Sequence, residues 1–142
     1  MRPEPSLDDV HRFFFEGGST GSLSILRCQS CAFWIHPPSP ACPACWSDDV
    51  APELVSGRGT LYSFIVARQA FATAFVEELP YVVALTELVE QPGLRVLTNV
   101  AGVDPDQAED VLRVGMPMEV TFEQRGAWFV PQFRPVTAEV PA

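Results

Sequence analysis

"LRCQSCAFWIHPPSPACPACWS", residues 26–47, holds every cysteine of this 142-residue chain. They form two C-x-x-C pairs, Cys28 with Cys31 and Cys42 with Cys45, separated by ten residues. Each pair suits a tight knuckle that points two sulfurs into one site. A short hairpin sets the second knuckle opposite the first. Four thiolates at ~2.3 Å then complete a tetrahedral shell around zinc and leave no position for water. A closed shell organises the chain and does not activate a substrate. The spacing therefore predicts one structural metal ion. Zinc comes first, with iron behind it because iron accepts the same four thiolates.

Other uses of the sulfurs fit less well. Two local disulfides are sterically poor and are disfavoured in a reducing compartment. A redox pair at "CPAC", residues 42–45, should open a helix after a strand, whereas "WSDDVAPE" follows. His36 lies in the loop between the pairs and reads as a loop residue, since four cysteines already fill the shell. Trp34 and Trp46 are expected to cover the metal. The ribbon, residues 21–56, has too thin a core to fold unaided, so bound metal supplies folding free energy.

The bulk composition narrows the function. Hydrophobic residues make up 47% of the chain, enough for a real core. The net charge is −9, and all nine bases are arginine. Four thiolates around a divalent ion would deepen that charge by two more. Nucleic-acid binders need a basic surface to neutralise phosphates, so no nucleic-acid partner is expected. No stretch approaches the roughly 20 apolar residues that span a bilayer. The opening "MRPEPSLDDV" is acidic and proline-bearing, unlike a secretory leader, so the expected compartment is the cytoplasm.

Residues 1–20 predict an N-terminal helix. Ser6 can cap it, Asp8 and Asp9 suit its first turn, and Gly17 and Gly18 end it. Leu7, Val10, Phe13 and Phe14 recur at helical spacing. That face packs on its own domain or grips a partner; Phe13 and Phe14 are the candidates for the second role. Residues 57–135 carry five strand-like segments: "RGTLYSFIVARQ" (58–69), "YVVALTEL" (81–88), "LRVLTNVAG" (94–102), "MPMEVTFEQ" (116–124) and "GAWFVPQFRP" (126–135). The fourth alternates, with Met116, Met118, Val120 and Phe122 on one face. Between the third and fourth, Asp104 and Pro105 begin a short helical connection. Three strands, a short helix and two strands are the order of an OB-fold, a five-stranded partly open barrel. The apolar loop "AFATAFVEELP" (70–80) joins the first two strands at the ligand or partner end of such a barrel. Phe71 and Phe75 are its interface candidates. Residues 136–142 read as a flexible tail. The chain is thus expected to be mainly β: N-terminal helix, four-cysteine zinc ribbon and five-stranded barrel. No nucleophile–base pair and no Gly-rich phosphate loop is evident, so no catalytic residue is assigned.

With the ribbon in front, "GRGTLYSFIV", "PYVVALTEL", "LRVLTNVAG" and "VGMPMEVTFE" resemble the family called Domain of Unknown Function 35, over about residues 6–135. Cys28, Cys31, Cys42 and Cys45 match that family's ribbon ligands. Gly57 and Gly59 match its ribbon-to-barrel junction, and Gly115 with Pro117 its entry to the fourth strand. Where the family often has glycine after each knuckle, this chain has Ala32 and Trp46. The resemblance implies a non-catalytic accessory subunit of a thiolase-fold enzyme acting on acyl-CoA thioesters. Such enzymes include thiolases and the lipid-transfer-protein-like aldolases that cut steroid side chains. Because thiolase-fold enzymes are commonly dimers, it implies a two-plus-two heterotetramer. CoA is polyanionic, so Arg58 or Arg68 is a candidate for meeting a CoA thioester at the shared site. An oligosaccharide- or nucleic-acid-binding OB module is the alternative reading.

Overall fold

A computed structural model describes residues 12–69 and 78–136. Helix α1 (Arg12–Glu16) runs into a 3-10 turn, Gly17–Thr20. Strands β1 (Leu23–Cys28), β2 (Trp34–Ile35) and β3 (Val50–Val55) form a small antiparallel sheet in the order β2-β1-β3. Strands β4 (Arg58–Ala67), β5 (Tyr81–Leu88), β6 (Arg95–Asn99), β7 (Pro117–Arg125) and β8 (Trp128–Pro135) form a second sheet in the order β6-β5-β4-β7-β8. Its two ends meet where Val100 pairs in parallel with Phe133, and the Ala101 N–H donates to the Phe133 carbonyl at 3.0 Å. The result is a nearly closed five-stranded barrel with the strand order of an OB-fold, as the sequence predicts.

The barrel's elements follow from local sequence. The outer ends of β4 and β5 pair in register from Ala67↔Tyr81 to Ser63↔Leu85, and a bulge at Tyr62 shifts the register. Along β5 every second residue is buried: Val82, Ala84, Thr86 and Leu88. That alternation is what a sheet with one face on a core requires. On β7, Met118 is fully buried, and Met116, Val120 and Phe122 pack against the same core. The helical connection begins where Asp104 accepts the Asp106 N–H at 2.9 Å, with Pro105 in the first turn. It leads into α2 (Ala108–Val111), and Ala108 and Leu112 close that part of the core.

The α-helix ends where the two glycines are expected to end it, and a 3-10 turn follows. The α-helical turns stop at Glu16, but the chain coils on to Thr20 and is ended by Gly21, whose φ is 74°. The Gly21 N–H reaches the carbonyls of Gly17 and Gly18. Gly18 serves a different need: a Cβ there would overlap the Cβ of Phe129 and crowd the ring of Phe122. The glycine lets the turn lie flat on the β7–β8 hairpin. Ser6, Leu7, Asp8, Asp9 and Val10 lie outside the described residues, as does the tail beyond Val136.

Ribbon and barrel share one core. Leu23, Ile25 and Trp34 from the ribbon sheet join Leu61, Leu88, Leu94, Val96, Met118 and Phe133 of the barrel. Polar contacts fix the junction. The Gln91 side chain, in the β5–β6 turn, accepts the Trp34 N–H at 2.9 Å and donates to the Trp34 carbonyl at 3.0 Å. Ser56 N–H donates to the Glu90 carboxylate at 2.8 Å. The Gln91 amide thus pairs both backbone groups of Trp34, in a strand only two residues long. Replacing Gln91 with alanine leaves a part-buried donor and acceptor unpaired. We expect Gln91→Ala to cost about 2 kcal/mol in denaturant titrations with metal content unchanged.

Candidate metal centre and its surroundings

The four sulfurs converge. All lie within 4.8 Å of one another, with Cys28–Cys45 at 3.6 Å and Cys31–Cys42 at 3.7 Å. A tetrahedral ion with ~2.3 Å bonds to sulfur needs edges of about 3.8 Å, and the two close pairs are near that length. Neither close pair is at disulfide bonding distance. Cys42–Cys45 lies on a turn followed by extended chain into β3, the wrong setting for a thioredoxin-type redox pair. The cluster could hold one metal ion in a closed four-sulfur shell, the arrangement of a structural site.

Backbone amides prepare it. The N–H groups of Ser30 and Cys31 donate to Cys28 Sγ, each at 3.4 Å, and the Ala44 N–H donates to Cys42 Sγ at 3.3 Å. The Cys31 amide, with that of Ser30, holds the Cys28 thiol down at about 6 against the opposing effect of burial. For Cys31 the Phe33 amide pulls down, but burial and the three neighbouring sulfurs together push it up to about 12. Cys45 is also raised. Neighbouring sulfurs favour the charged form at Cys28 and oppose it at Cys31, so the protons are shared unevenly, and a cation among the sulfurs would favour ionisation of the whole set.

The second coordination layer is apolar and lopsided. Cys28 and Cys42 are buried with Leu26 and Ile35, and Phe13, Phe33 and Val50 pack against them. Cys31 and Cys45 face solvent. The tryptophans do not cover the ion as expected. Trp34 is only 7% exposed but belongs to the shared core, with the Arg27 guanidinium 4.3 Å from its ring centre. Trp46 is 82% exposed. The sequence shows two aromatics near the cysteines; it does not show that β2 turns one inward and that the knuckle turns the other out. His36 stacks on Phe14 at 5.2 Å, and the four-sulfur cluster forms without it.

Ala32 and Trp46 both adopt left-handed backbone, with φ of 69° and 67°. The knuckles impose this: the Ala32 N–H donates to the Cys28 carbonyl at 3.0 Å and the Trp46 N–H to the Cys42 carbonyl at 2.8 Å. A side chain in that conformation costs about 1–2 kcal/mol relative to right-handed backbone. Ala32→Gly should therefore stabilise the metal-bound protein by about 1 kcal/mol and slow metal loss to a chelator; equal or lower stability would contradict this strain.

The remaining candidates do not gather into a second site. Phe13 is half-buried against the ribbon cluster, and Phe14 is half-buried against the shared core. Arg58 opens β4, whereas Arg68 lies just past its other end and pairs with Glu109 at 3.3 Å. Ten residues of extended strand separate them by roughly 30 Å, so they do not act on one phosphate group. Phe71 and Phe75 lie outside the described residues. Sequence reasoning missed Gln91 and the outer barrel wall. There Ile65 (62% exposed) and Leu97 (64%) flank half-buried Val83 and Leu85 on three adjacent strands, β4 to β6. The pairs Ile65↔Val83 and Leu85↔Leu97 in the register make this wall continuous. Alternation that is apolar on both faces of β5 was the available signal.

Comparison with known proteins agrees with this architecture. The ChsH2 rubredoxin-like zinc ribbon domain matches residues 15–51, and the ChsH2 C-terminal OB-fold domain matches residues 53–123. A probable enoyl-CoA hydratase alpha subunit of Thermomonospora curvata is 39% identical over 98% of this chain. The 3-oxo-4,17-pregnadiene-20-carboxyl-CoA hydratase alpha subunit of Mycobacterium tuberculosis is 33% identical over 95% of it. The chain spans only 41% and 40% of the length of these two relatives. A chain of the solved Ltp2–ChsH2(DUF35) aldolase superposes with a TM-score of 0.77 and 38% identity, covering 93% of this chain and 98% of that one. With the two domains in this order and the four cysteines in one cluster, this chain belongs to the ChsH2 (DUF35) family.

Proposed function

We propose that this chain is a non-catalytic accessory subunit of a thiolase-fold enzyme acting on acyl-CoA thioesters, in steroid side-chain degradation, with zinc as its structural ion. One observation carries the reading: the chain overlays nearly the whole of a chain from the Ltp2–ChsH2(DUF35) aldolase. The two hydratase relatives, one named for a steroid carboxyl-CoA, support the same substrate class. Zinc is favoured over iron because four thiolates in a closed shell suit a redox-inert ion whose task is folding.

The chemistry of the surface supports a partner's role. The cysteines are committed to the cluster, and His36 is stacked on Phe14. The sequence carries no recognisable nucleophile–base motif. The apolar wall of Ile65, Val83, Leu85 and Leu97 borders a groove of about 220 Å³ and offers area for protein contact. The exposed Arg68–Glu109 pair is worth little in water, so Arg68 is able to exchange Glu109 for a CoA phosphate. No helix among the described residues is long and apolar enough to cross a membrane. A dimeric thiolase-fold enzyme with one such chain on each protomer gives a two-plus-two assembly. The chain stabilises the complex and shapes the substrate channel.

Two measurements test this. Protein purified without added metal should carry close to one zinc per chain, and Cys42→Ser should lose it. Four titratable thiols and no metal in the native protein would remove zinc from the account. Co-expression with the thiolase-like protein of the same organism should give a co-purifying complex of two-plus-two mass that turns over an acyl-CoA. A chain that ignores that protein, or that turns over an acyl-CoA alone, would overturn the accessory role.

A further inference from the structure

Trp46 is costly where it stands. The second knuckle forces left-handed backbone on the residue after Cys45, and glycine would meet that demand without strain. Ala32 meets the same demand at the first knuckle with the smallest side chain available. Backbone strain therefore marks the knuckle and says nothing by itself about the indole. The indole adds a second cost, because it stands 82% exposed, more than any other large hydrophobic side chain described. The apolar side chains packed around the buried Cys28 and Cys42 are Leu26, Ile35, Phe13, Phe33 and Val50. The indole's sequence neighbours Pro43 and Ala44 are exposed and carry no charged side chain.

The surrounding charge is one-sided. Between Arg27 and Arg58 there is no arginine or lysine, while Asp48, Asp49 and Glu53 are present. Asp48 and Asp49 are exposed within three residues of the indole. A tetrathiolate site with a divalent ion adds two more negative charges beside it. An anionic bilayer and a nucleic acid are repelled by such a surface. A second copy would bring the same acids against themselves. A protein surface that offers an apolar slot with a basic rim satisfies both features. It buries the indole, and its guanidinium groups stack on the ring and reach the carboxylates.

We propose that Trp46 is the anchor through which the metal-binding end of this chain docks into an apolar, basic-rimmed slot on its enzyme partner. The proposal rests on the accessory-subunit reading, which supplies the partner, and it places one contact at the ribbon. A rigid indole at the centre of a docking patch is the type of residue whose truncation dominates binding.

The test compares wild type, Trp46→Gly and Trp46→Phe against the thiolase-like protein of the same organism, by titration and co-purification. Trp46→Gly removes the indole and the strain together, so metal content and thermal stability should be equal or higher. Affinity should fall about 30-fold or more, the size expected of an anchoring aromatic. Trp46→Phe should recover part of it. The tryptophan emission of wild type should shift to the blue on binding, and most of that shift should vanish in Trp46→Gly. Asp48→Asn with Asp49→Asn should flatten the salt dependence of association. Unchanged affinity of Trp46→Gly for a partner that wild type binds overturns the anchor and leaves the accessory role standing. Loss of metal in Trp46→Gly makes the indole a structural part of the knuckle and overturns the anchor too. A wild-type chain that never binds that protein overturns both.

Discussion

Four thiols held within 4.8 Å of each other cannot all ionise unless a cation sits among them. That electrostatic constraint is the one on which the ribbon depends. Its amides already favour a thiolate at Cys28, while Cys31 and Cys45 are driven the other way. A divalent ion removes the conflict and releases the protons. Once the knuckles are fixed, β1 is held between β2 and β3, and it can send alternate side chains in two directions. Leu23 and Ile25 go to the shared core, while Leu26 and Cys28 go to the metal. The barrel therefore receives part of its core from a segment that the metal organises.

Ribbon and barrel are better viewed as one mechanical body than as two beads. Trp34 is buried among barrel side chains, and Gln91 closes both hydrogen bonds of the Trp34 backbone. Helix α1 and its 3-10 turn bridge the same seam from outside, where Gly18 admits Phe122 and Phe129 at close range. Such a body holds its surfaces at fixed spacing. For an accessory chain that is a useful property, because contacts at the metal end and along the barrel wall can be offered to a partner without ordering cost.

Much of this was legible in the sequence, for stated reasons. The doubled C-x-x-C spacing fixes a ligand set through covalent geometry alone. Alternation along β7 reflects the two-residue period of a pleated strand, and Asp104–Pro105 marks a helix start through local hydrogen bonding. What escaped depends on distant pairing. Nothing local says that Gln91 faces Trp34 fifty-seven positions earlier in the chain. The two tryptophans look alike in sequence and differ only because β2 faces a core supplied by other strands while the knuckle tip faces none. Gly17 and Gly18 read as a helix stop because glycine usually is one, yet Gly18 answers a packing demand from a hairpin about a hundred residues away.

Strand β4 leaves one edge open beyond its short pairing with β7. β4 pairs with β7 only from Arg58 to Thr60, while β5 accompanies it to Ala67. Beyond Leu61 the β4–β5–β6 sheet continues without β7 beside it. Both of its faces then need a reason to be apolar. The inner face has one in the shared core, where Leu61, Val82, Ala84 and Val96 meet. The outer face, with Ile65, Val83, Leu85 and Leu97, has no such cover among the described residues. An acidic chain with few cations keeps other surfaces apart by repulsion, so apolar patches can stay exposed without promoting self-association. Selective contact then falls to a partner whose charge is opposite. For a partner as proposed above, the acidity would limit which surfaces approach and the exposed apolar groups would hold the one that does.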